Sequence, residues 1–330
     1  LQVLITRPIL EAGASALKAA GLDVFVSPHD RPLSHVELLA ASEHADALLT
    51  MLTDKIDASL IAARPRLKAI ANYAVGINNI DVPACTAHKI GVSNTPDVLT
   101  NATAEIAWTL LMAAARRAGE AERALRAGQW DGWGPLQFLG VDVVGRTLGL
   151  IGAGRIGARV ARMAAGFDMP LLYTNRRPSP AMDALGARLV PLDELLRQSD
   201  FMSLHVPLSP ESRHLIAAPQ LALMKKTAVI VNTARGPVID EAALVDALRQ
   251  RQIFAAGLDV FENEPALAPG LDALENVVTL PHIGSATTET RDTMARLAAE
   301  NLIAMLKGER PATPVYGSLW PEKSATDERG

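Results

Sequence analysis

The sequence predicts an α/β protein of two doubly wound parallel sheets, the second inserted into the first. Three observations predict it. Short apolar runs alternate with amphipathic stretches along most of the chain, the pattern of strands and helices in βαβ units. A glycine fingerprint, Gly152-Ala-Gly-Arg-Ile-Gly157, falls near mid-chain rather than near the beginning. With 330 residues the chain exceeds the usual size of one domain and suits two, each able to bury its own core.

In chain order, Val3 to Ile5 reads as a first strand, Glu11 to Ala20 as a helix, Val24 to Val26 as a strand, and Ser34 opens the next helix. Strands follow at Ala47 to Leu49, Lys68 to Ala71 and Gly91 to Ser93, separated by helices over Ala58 to Ala63 and Val82 to Lys89. Thr100 or Asn101 caps a long alanine-rich helix through Arg117, a bridge into the second unit. There the apolar run ending in Ile151 is a buried strand. Gly152 permits a tight turn, Gly154 lets backbone amides approach a pyrophosphate, and Gly157 lets the following helix, Arg155 to Ala165, pack on the strand. The next strand is Leu171 to Thr174. Apolar strands at Phe201 to His205, Ala228 to Asn232, Ala255 to Val260 and Val277 to Leu280 complete the second sheet.

After His282-Ile-Gly-Ser285 the pattern becomes a long helix through Lys307, with apolar Met294, Leu297, Leu302, Ile303 and Leu306 on it, which returns the chain to the first domain. Residues beyond Pro314 lack periodicity and read as a loose tail. The division is therefore 1–99 as the first part of a substrate-binding domain, 100–285 as a nucleotide-binding domain, and 286–330 as return helix and tail. Two bodies joined by crossing helices near 100 and 286 enclose a cleft whose closure excludes water.

Composition narrows the function. A net charge of −4 and a pI of about 6.0 supply no basic field for nucleic acid. No apolar stretch reaches membrane-spanning length, and Leu1 to Arg7 reads as a strand rather than a signal peptide. The single Cys85 can form no internal disulfide and has no zinc-type spacing around it, which points to a reducing, cytoplasmic compartment, a structural thiol and no metal.

About 20 residues after the fingerprint, where an NAD enzyme carries Asp or Glu for the ribose hydroxyls, the chain reads Asn175-Arg176-Arg177. A neutral amide and two guanidinium groups offer donors to a 2′-phosphate, so the sequence favours NADP(H) over NAD(H). The alternative is a solvated turn before Pro178. Polar residues fall where strands of the second sheet end: Arg235, Asp259 and His282. Ligands bind at such carboxyl ends.

Six segments together resemble the D-isomer-specific 2-hydroxyacid dehydrogenases, and among them the glyoxylate and hydroxypyruvate reductases, over nearly the whole chain. They are Val75-Gly-Ile-Asn-Asn-Ile-Asp81, Asn101-Ala-Thr-Ala-Glu105, the fingerprint, Asn232-Thr-Ala-Arg-Gly236, Gly257-Leu-Asp-Val-Phe-Glu-Asn-Glu-Pro265 and Pro281-His-Ile-Gly-Ser285. The resemblance implies a Rossmann cofactor domain inserted into a flavodoxin-like substrate domain, with Arg235, Glu264 and His282 as catalytic residues. The chemistry asks for the same types. A 2-oxoacid needs a planar, permanently charged donor, which Arg235 supplies. Its carbonyl oxygen needs a proton as hydride arrives, which His282 gives while a carboxylate on the other ring nitrogen fixes the tautomer. Among nearby acids the family pattern selects Glu264, leaves Glu262 structural and turns Asp259 toward the nicotinamide.

By the same resemblance Val75 and Gly76 present backbone N–H groups to the substrate carboxylate, although Asn78 stands where many relatives have Asp. Cofactor contacts fall on Ala153, Gly154, Arg155 and Ile156, on Thr103, on Asn175, Arg176 and Arg177, and on His205, Val206, Pro207, Thr233, Ala234, Asp259 and Gly284. His205 reads equally as a locally bonded strand-end residue. The Met51-Leu52-Thr53 segment faces the substrate side chain, and its compact apolar character suits a short acid. Trp130 and Trp133, in a glycine-rich loop, fall in the family's dimer region and imply a homodimer; Trp133 either packs there or reaches the partner's site. The sequence thus points to an NADPH-preferring reductase of glyoxylate and hydroxypyruvate. The alternatives are a reductase of another 2-oxoacid such as 2-ketogluconate, or a nucleotide-sensing, corepressor-like binding protein.

Overall fold

The computed structural model describes residues 1–320; of the expected tail, residues 321–330 lie outside the described residues. The chain divides into two compact units, Leu1–Leu99 with the chain from Ala286, and Thr100–Ser285.

In the first unit β1 (Gln2–Ile5), β2 (Asp23–Val26), β3 (Ala47–Thr50), β4 (Ala69–Asn72) and β5 (Gly91–Ser93) form one parallel sheet in the order β2-β1-β3-β4-β5. Between them run α1 (Glu11–Ala19), α2 (His35–Ala41), α3 (Ala58–Ala62) and α4 (Val82–Ala87). Helix starts are capped locally. Ser34 accepts from the Glu37 N–H at 3.3 Å while Glu37 accepts from the Ser34 N–H at 2.8 Å, a reciprocal pair worth about 1 kcal/mol; Asp57 and Asp81 cap α3 and α4. Leu4, Leu48, Ile70 and Val92 are continuous with the helix side chains Leu60 and Ile61 and with Cys85 in one core. Burial, with the Asp81 charge beside it, pushes the Cys85 thiol up to about 12, so it packs as a small apolar group. The strand order reverses between β1 and β3, which opens a crevice at their carboxyl ends.

The second unit holds α5 (Thr100–Ala115), α6 (Ala118–Arg126), β6 (Leu148–Ile151), α7 (Arg155–Met163), β7 (Leu171–Thr174), α8 (Pro180–Asp183), β8 (Arg188–Leu189) and α9 (Leu192–Gln198). It continues with β9 (Phe201–Leu204), α10 (Ala218–Leu221), β10 (Val229–Asn232), α11 (Glu241–Arg249), β11 (Ala255–Leu258) and β12 (Val277–Thr279). The seven-stranded parallel sheet runs β12-β11-β10-β9-β6-β7-β8, with its reversal between β6 and β9. The final helix α12 (Thr288–Leu306) belongs to the first unit.

The structure departs from the sequence reading in several places. Thr100 is already helical, and the long helix stops at Ala115 because Arg117 adopts a left-handed backbone (φ +52°) that turns the chain into α6. The helix read as Arg155 to Ala165 passes into a 3-10 turn at Ala164–Phe167. The strand read through Val260 ends at Leu258. Up to Trp320 the tail is not loose. Val315 is buried and donates its N–H to the Val92 carbonyl at 2.9 Å, and the Trp320 ring lies over Gly91, where a Cβ would come within 2.3 Å of it. Isolated apolar residues anchor this segment without any period that a sequence scan could register.

Candidate active site

Arg235, Glu264 and His282 leave the carboxyl ends of three adjacent strands, β10, β11 and β12. His282 Nδ1 lies 2.9 Å from Glu264 Oε2, with side-chain exposures of 26% and 29%. An ionised carboxylate can only accept, so Nδ1 carries the hydrogen and Nε2 is left for a ligand. The other carboxylate oxygen accepts the Phe261 N–H at 3.0 Å. Burial pushes the Glu264 carboxyl up, but the His282 hydrogen bond and charge, the Phe261 N–H and the Arg235 charge outweigh it and hold the group below the usual glutamate range.

His282 has a left-handed backbone, φ +54°, which costs a non-glycine residue strain. The next two N–H groups, of Ile283 and Gly284, each donate at 2.7 Å to Asp259, one to each oxygen. Asp259 therefore clamps the turn that carries His282. Burial raises its carboxyl, against those N–H bonds and the His282 charge. Thr103 flanks the same turn, its side chain within 3.5 Å of where a Cβ on Gly284 would stand.

The Arg235 loop is tied down by buried Asn232, whose Nδ2 donates to the Arg235 carbonyl at 2.9 Å and whose Oδ1 accepts the Ala234 N–H at 3.0 Å. Arg235 Nη1 donates to the Ala234 carbonyl at 2.7 Å. Burial lowers its guanidinium from the ordinary value and the Glu264 charge opposes this; the group stays cationic. A Cβ on Gly236 would lie 1.9 Å from the Phe261 carbonyl carbon, so the loops bearing Arg235 and Glu264 meet backbone to backbone.

At the reversal of the sheet, Gly152 (φ +100°) makes the turn after β6. A Cβ there would stand 2.7 Å from the His205 carbonyl, and one on Gly157 would stand 2.3 Å from the Gly152 carbonyl. Gly154 is the N-cap of α7, no side chain caps that helix, and nothing lies within 4 Å of where its Cβ would be. Open space at the glycine that caps α7 fits a dinucleotide pyrophosphate set against the backbone of Ala153 through Ile156. The buried Thr233 hydroxyl, which has no partner in the protein, fits the same groove as a group awaiting a ligand.

His205 is of a different kind from His282. Burial pulls its pKa down to about 3, so it is neutral at physiological pH, and Nε2 lies 2.9 Å from the Ser203 hydroxyl. Val206, half-buried, and Pro207, exposed, continue from it. After β7, Asn175 Nδ2 donates to the Arg177 carbonyl at 2.9 Å, which shapes a turn on which Arg176 and Arg177 are exposed. Sequence reasoning missed one neighbour. Glu211, bound by the Ser209 hydroxyl at 2.7 Å, lies close enough to Arg176 for that charge to help hold its carboxyl low.

In the first unit Leu52 and Val75 are exposed at the ends of β3 and β4. Three successive carbonyls after β4 turn inward. Ala74 accepts from the Thr95 N–H at 2.9 Å, Val75 from Asn94 Nδ2 at 2.7 Å, and Gly76 from Asn72 Nδ2 at 2.7 Å. In trans peptides each N–H opposes the preceding carbonyl, so the N–H groups of Val75, Gly76 and Ile77 point outward. Elsewhere, Trp130 (53%), Trp133 (84%) and Leu136 (81%) stand exposed in the second unit. Among the described residues no helix is long and apolar enough to cross a membrane and no His, Cys, Asp and Glu cluster could hold a metal.

Comparison with known proteins gives a consistent picture. The family model described as D-isomer specific 2-hydroxyacid dehydrogenase, NAD binding domain, matches residues 108–284. A glyoxylate reductase of Thermococcus onnurineus (strain NA1) is 51% identical over 319 residues, 95% of each chain. A protein of Thermus thermophilus whose structure is solved is similar at 43% identity and a TM-score of 0.89, over 96% of this chain and 100% of that one. An NADPH-dependent glyoxylate/hydroxypyruvate reductase from Sinorhizobium meliloti, solved with NADP and malonate, is similar at 32% identity and a TM-score of 0.86, over 98% and 99%.

Proposed function

Because the chain belongs to the D-isomer-specific 2-hydroxyacid dehydrogenases, in their glyoxylate reductase group, and is an NAD(P)-dependent enzyme, we propose that it reduces glyoxylate to glycolate and hydroxypyruvate to D-glycerate, with NADPH preferred. The observation that carries this reading is the His282–Glu264 pair at 2.9 Å, with Nε2 of the ring left over. When bound, the reduced nicotinamide supplies a hydride to the oxoacid carbonyl carbon. His282 Nε2 gives the proton to the carbonyl oxygen, so that C=O becomes CH–OH, and the resulting neutral ring is re-protonated from solvent. Glu264 stabilises the charged ring and fixes its tautomer. Arg235 binds and orients the oxoacid through a planar donor fork, and the outward N–H groups of Val75 and Gly76 take its carboxylate. Leu52 bounds the side-chain end and suits a short acid.

The NADPH preference is supported by Arg176 and Arg177 on an exposed turn without a carboxylate in the adjoining strand end. Backbone N–H groups of Ala153 to Ile156 take the pyrophosphate, and Thr103, His205 to Pro207, Thr233, Ala234 and Gly284 line the remainder. A homodimer is supported by Trp130, Trp133 and Leu136, each exposed and close together in sequence, since exposed large apolar side chains that gather on one patch mark interfaces. The buried thiol suits a reducing, cytoplasmic setting.

The test is initial rates with NADPH and NADH against glyoxylate, hydroxypyruvate, pyruvate and 2-ketogluconate. Fastest turnover of the first two with NADPH is expected. Faster NADH turnover would overturn the cofactor preference, and no turnover with any acid would return weight to a nucleotide-sensing role.

A further inference from the structure

The loop bearing Val75 and Gly76 owes its shape to side chains beneath it. Asn72 is fully buried and both hydrogens of its amide are used. Oδ1 accepts from the Thr50 hydroxyl at 3.0 Å; Nδ2 donates to the Gly76 carbonyl at 2.7 Å and to Asn79 Oδ1 at 3.2 Å. Asn79 Nδ2 in turn donates to the carbonyls of Met51 and Asp54, both at 3.0 Å. Buried Asp54 in turn accepts the Met51 N–H at 2.7 Å and the Thr6 hydroxyl. One polar network thus runs from the end of β1, through the Met51 to Asp54 segment after β3, to the loop after β4.

We propose that Asn72 and Asn79, with Asp54 behind them and Asn94 at the neighbouring peptide, are positioning residues that hold the Val75–Gly76 loop in register with the Leu52 lip, so that they fix affinity for the carboxylate of a short 2-oxoacid. The proposal rests on the reading that Val75 and Gly76 take that carboxylate. The physical ground is that a buried amide with both hydrogens bonded cannot rotate or flip without leaving several groups unpaired. The Gly76 carbonyl is held by Asn72, which fixes that peptide and the Ile77 N–H opposite it, and the preceding peptide is held by Asn94 at the Val75 carbonyl, which aims the Gly76 N–H away from Asn94. The Asn72 amide, through Asn79, holds the Met51 carbonyl next to Leu52. An apolar residue of equal volume at 72 would fill the space and fix neither direction.

The experiment compares Asn72→Ala, Asn72→Leu and Asn79→Ala with Asn276→Ala. Asn276 is a buried amide of the other unit that donates to the Leu248 and Phe254 carbonyls at 3.2 and 3.1 Å. Measured are KM for glyoxylate, KM for NADPH, kcat, thermal stability, and the Kd of oxamate, an unreactive 2-oxoacid isostere, on protein saturated with reduced cofactor. Each network variant is expected to raise the glyoxylate KM and the oxamate Kd by about tenfold or more, with the NADPH KM within about twofold, whereas Asn276→Ala lowers stability alone. Folded network variants with unchanged oxamate Kd, or with NADPH and oxamate affinities falling together, would overturn the proposal. If the Asn72 variants fail to fold, Asn94→Ala, which frees only the Val75 carbonyl at a half-buried position, is expected to weaken oxamate by about threefold, and an unchanged Kd there would overturn it. Wild-type protein that binds oxamate but does not reduce glyoxylate would refute the substrate assignment and leave the variant comparison decisive. Wild-type protein that binds no oxamate would refute the carboxylate reading and this proposal with it.

Discussion

Replacing Glu264 by Gln keeps the shape and a hydrogen-bond acceptor opposite His282 Nδ1, removes the charge, and puts an NH2 where the other oxygen accepts the Phe261 N–H. The consequence can be worked from the geometry. Unit charges about 4 Å apart interact by about 4 kcal/mol at an effective dielectric of about 20 and by about 1 kcal/mol in water. The two side chains are 26% and 29% exposed, so the interaction belongs between those limits. About 2 kcal/mol is the middle, in line with about 1.5–3 kcal/mol for hydrogen bonds to charged groups. At neutral pH that converts to a loss of about 30-fold in kcat/KM for glyoxylate reduction. Initial rates at neutral pH, with circular dichroism to confirm folding, read the effect. A loss under about threefold would place the pair in water-like surroundings.

Three further outcomes are expected. Gly236→Ala puts a Cβ 1.9 Å from the Phe261 carbonyl carbon, which forces the Arg235 and Glu264 loops apart. A thermal melt should show destabilisation of about 1–3 kcal/mol or more with a fall in kcat, and a wild-type melt would contradict the backbone contact. Exchanging Arg176 and Arg177 together for Ala should raise the NADPH KM by about 10–100-fold and the NADH KM by less than about twofold, and equal changes would show that neither meets a 2′-phosphate. Glu264 has its folded carboxyl below the ordinary value, so the His282 pair is complete above the unfolded glutamate value of about 4.3 and is lost only as pH falls through the lowered folded value. The rate per folded molecule should therefore hold down to about pH 5, and a carboxylate titration by NMR with its midpoint at or above about 4.3 would contradict the pairing.

What the sequence disclosed and what it withheld separate along a physical line. Buried parallel strands such as Ala47–Thr50 and Val229–Asn232 are short apolar runs, and Ser34 with Glu37 is a capping signal four residues long, so each is written locally. The fingerprint is equally local, because the tight turn at Gly152 and the close packing at Gly157 both depend on neighbours in the motif. The break at Arg117 has no such marker, since arginine is an ordinary helix former and nothing in its type announces a left-handed backbone. Docking of Val315 and Trp320 on β5 joins residues more than two hundred positions apart and leaves no period. Asn72 and Asn79 carry no signal by type, for an amide is common in loops, and their role arises only when β1, β3 and β4 are laid side by side. Asp259 lies between: its position at a strand end was legible, but the two N–H groups its carboxylate accepts come from a segment 24 and 25 residues away.

The left-handed backbone at His282 has a consequence for anyone who tries to improve this enzyme. Glycine at that position would relax the turn by about 1 kcal/mol, because it alone adopts such a conformation without a Cβ penalty. It would also remove the proton donor. A library sorted by heat resistance alone would therefore enrich folded molecules that no longer work, and the Asp259 clamp would keep their turn intact enough to hide the defect from any structural probe. Selection for hardiness and selection for turnover pull this one residue in opposite directions, and only a screen that counts product can tell the two populations apart.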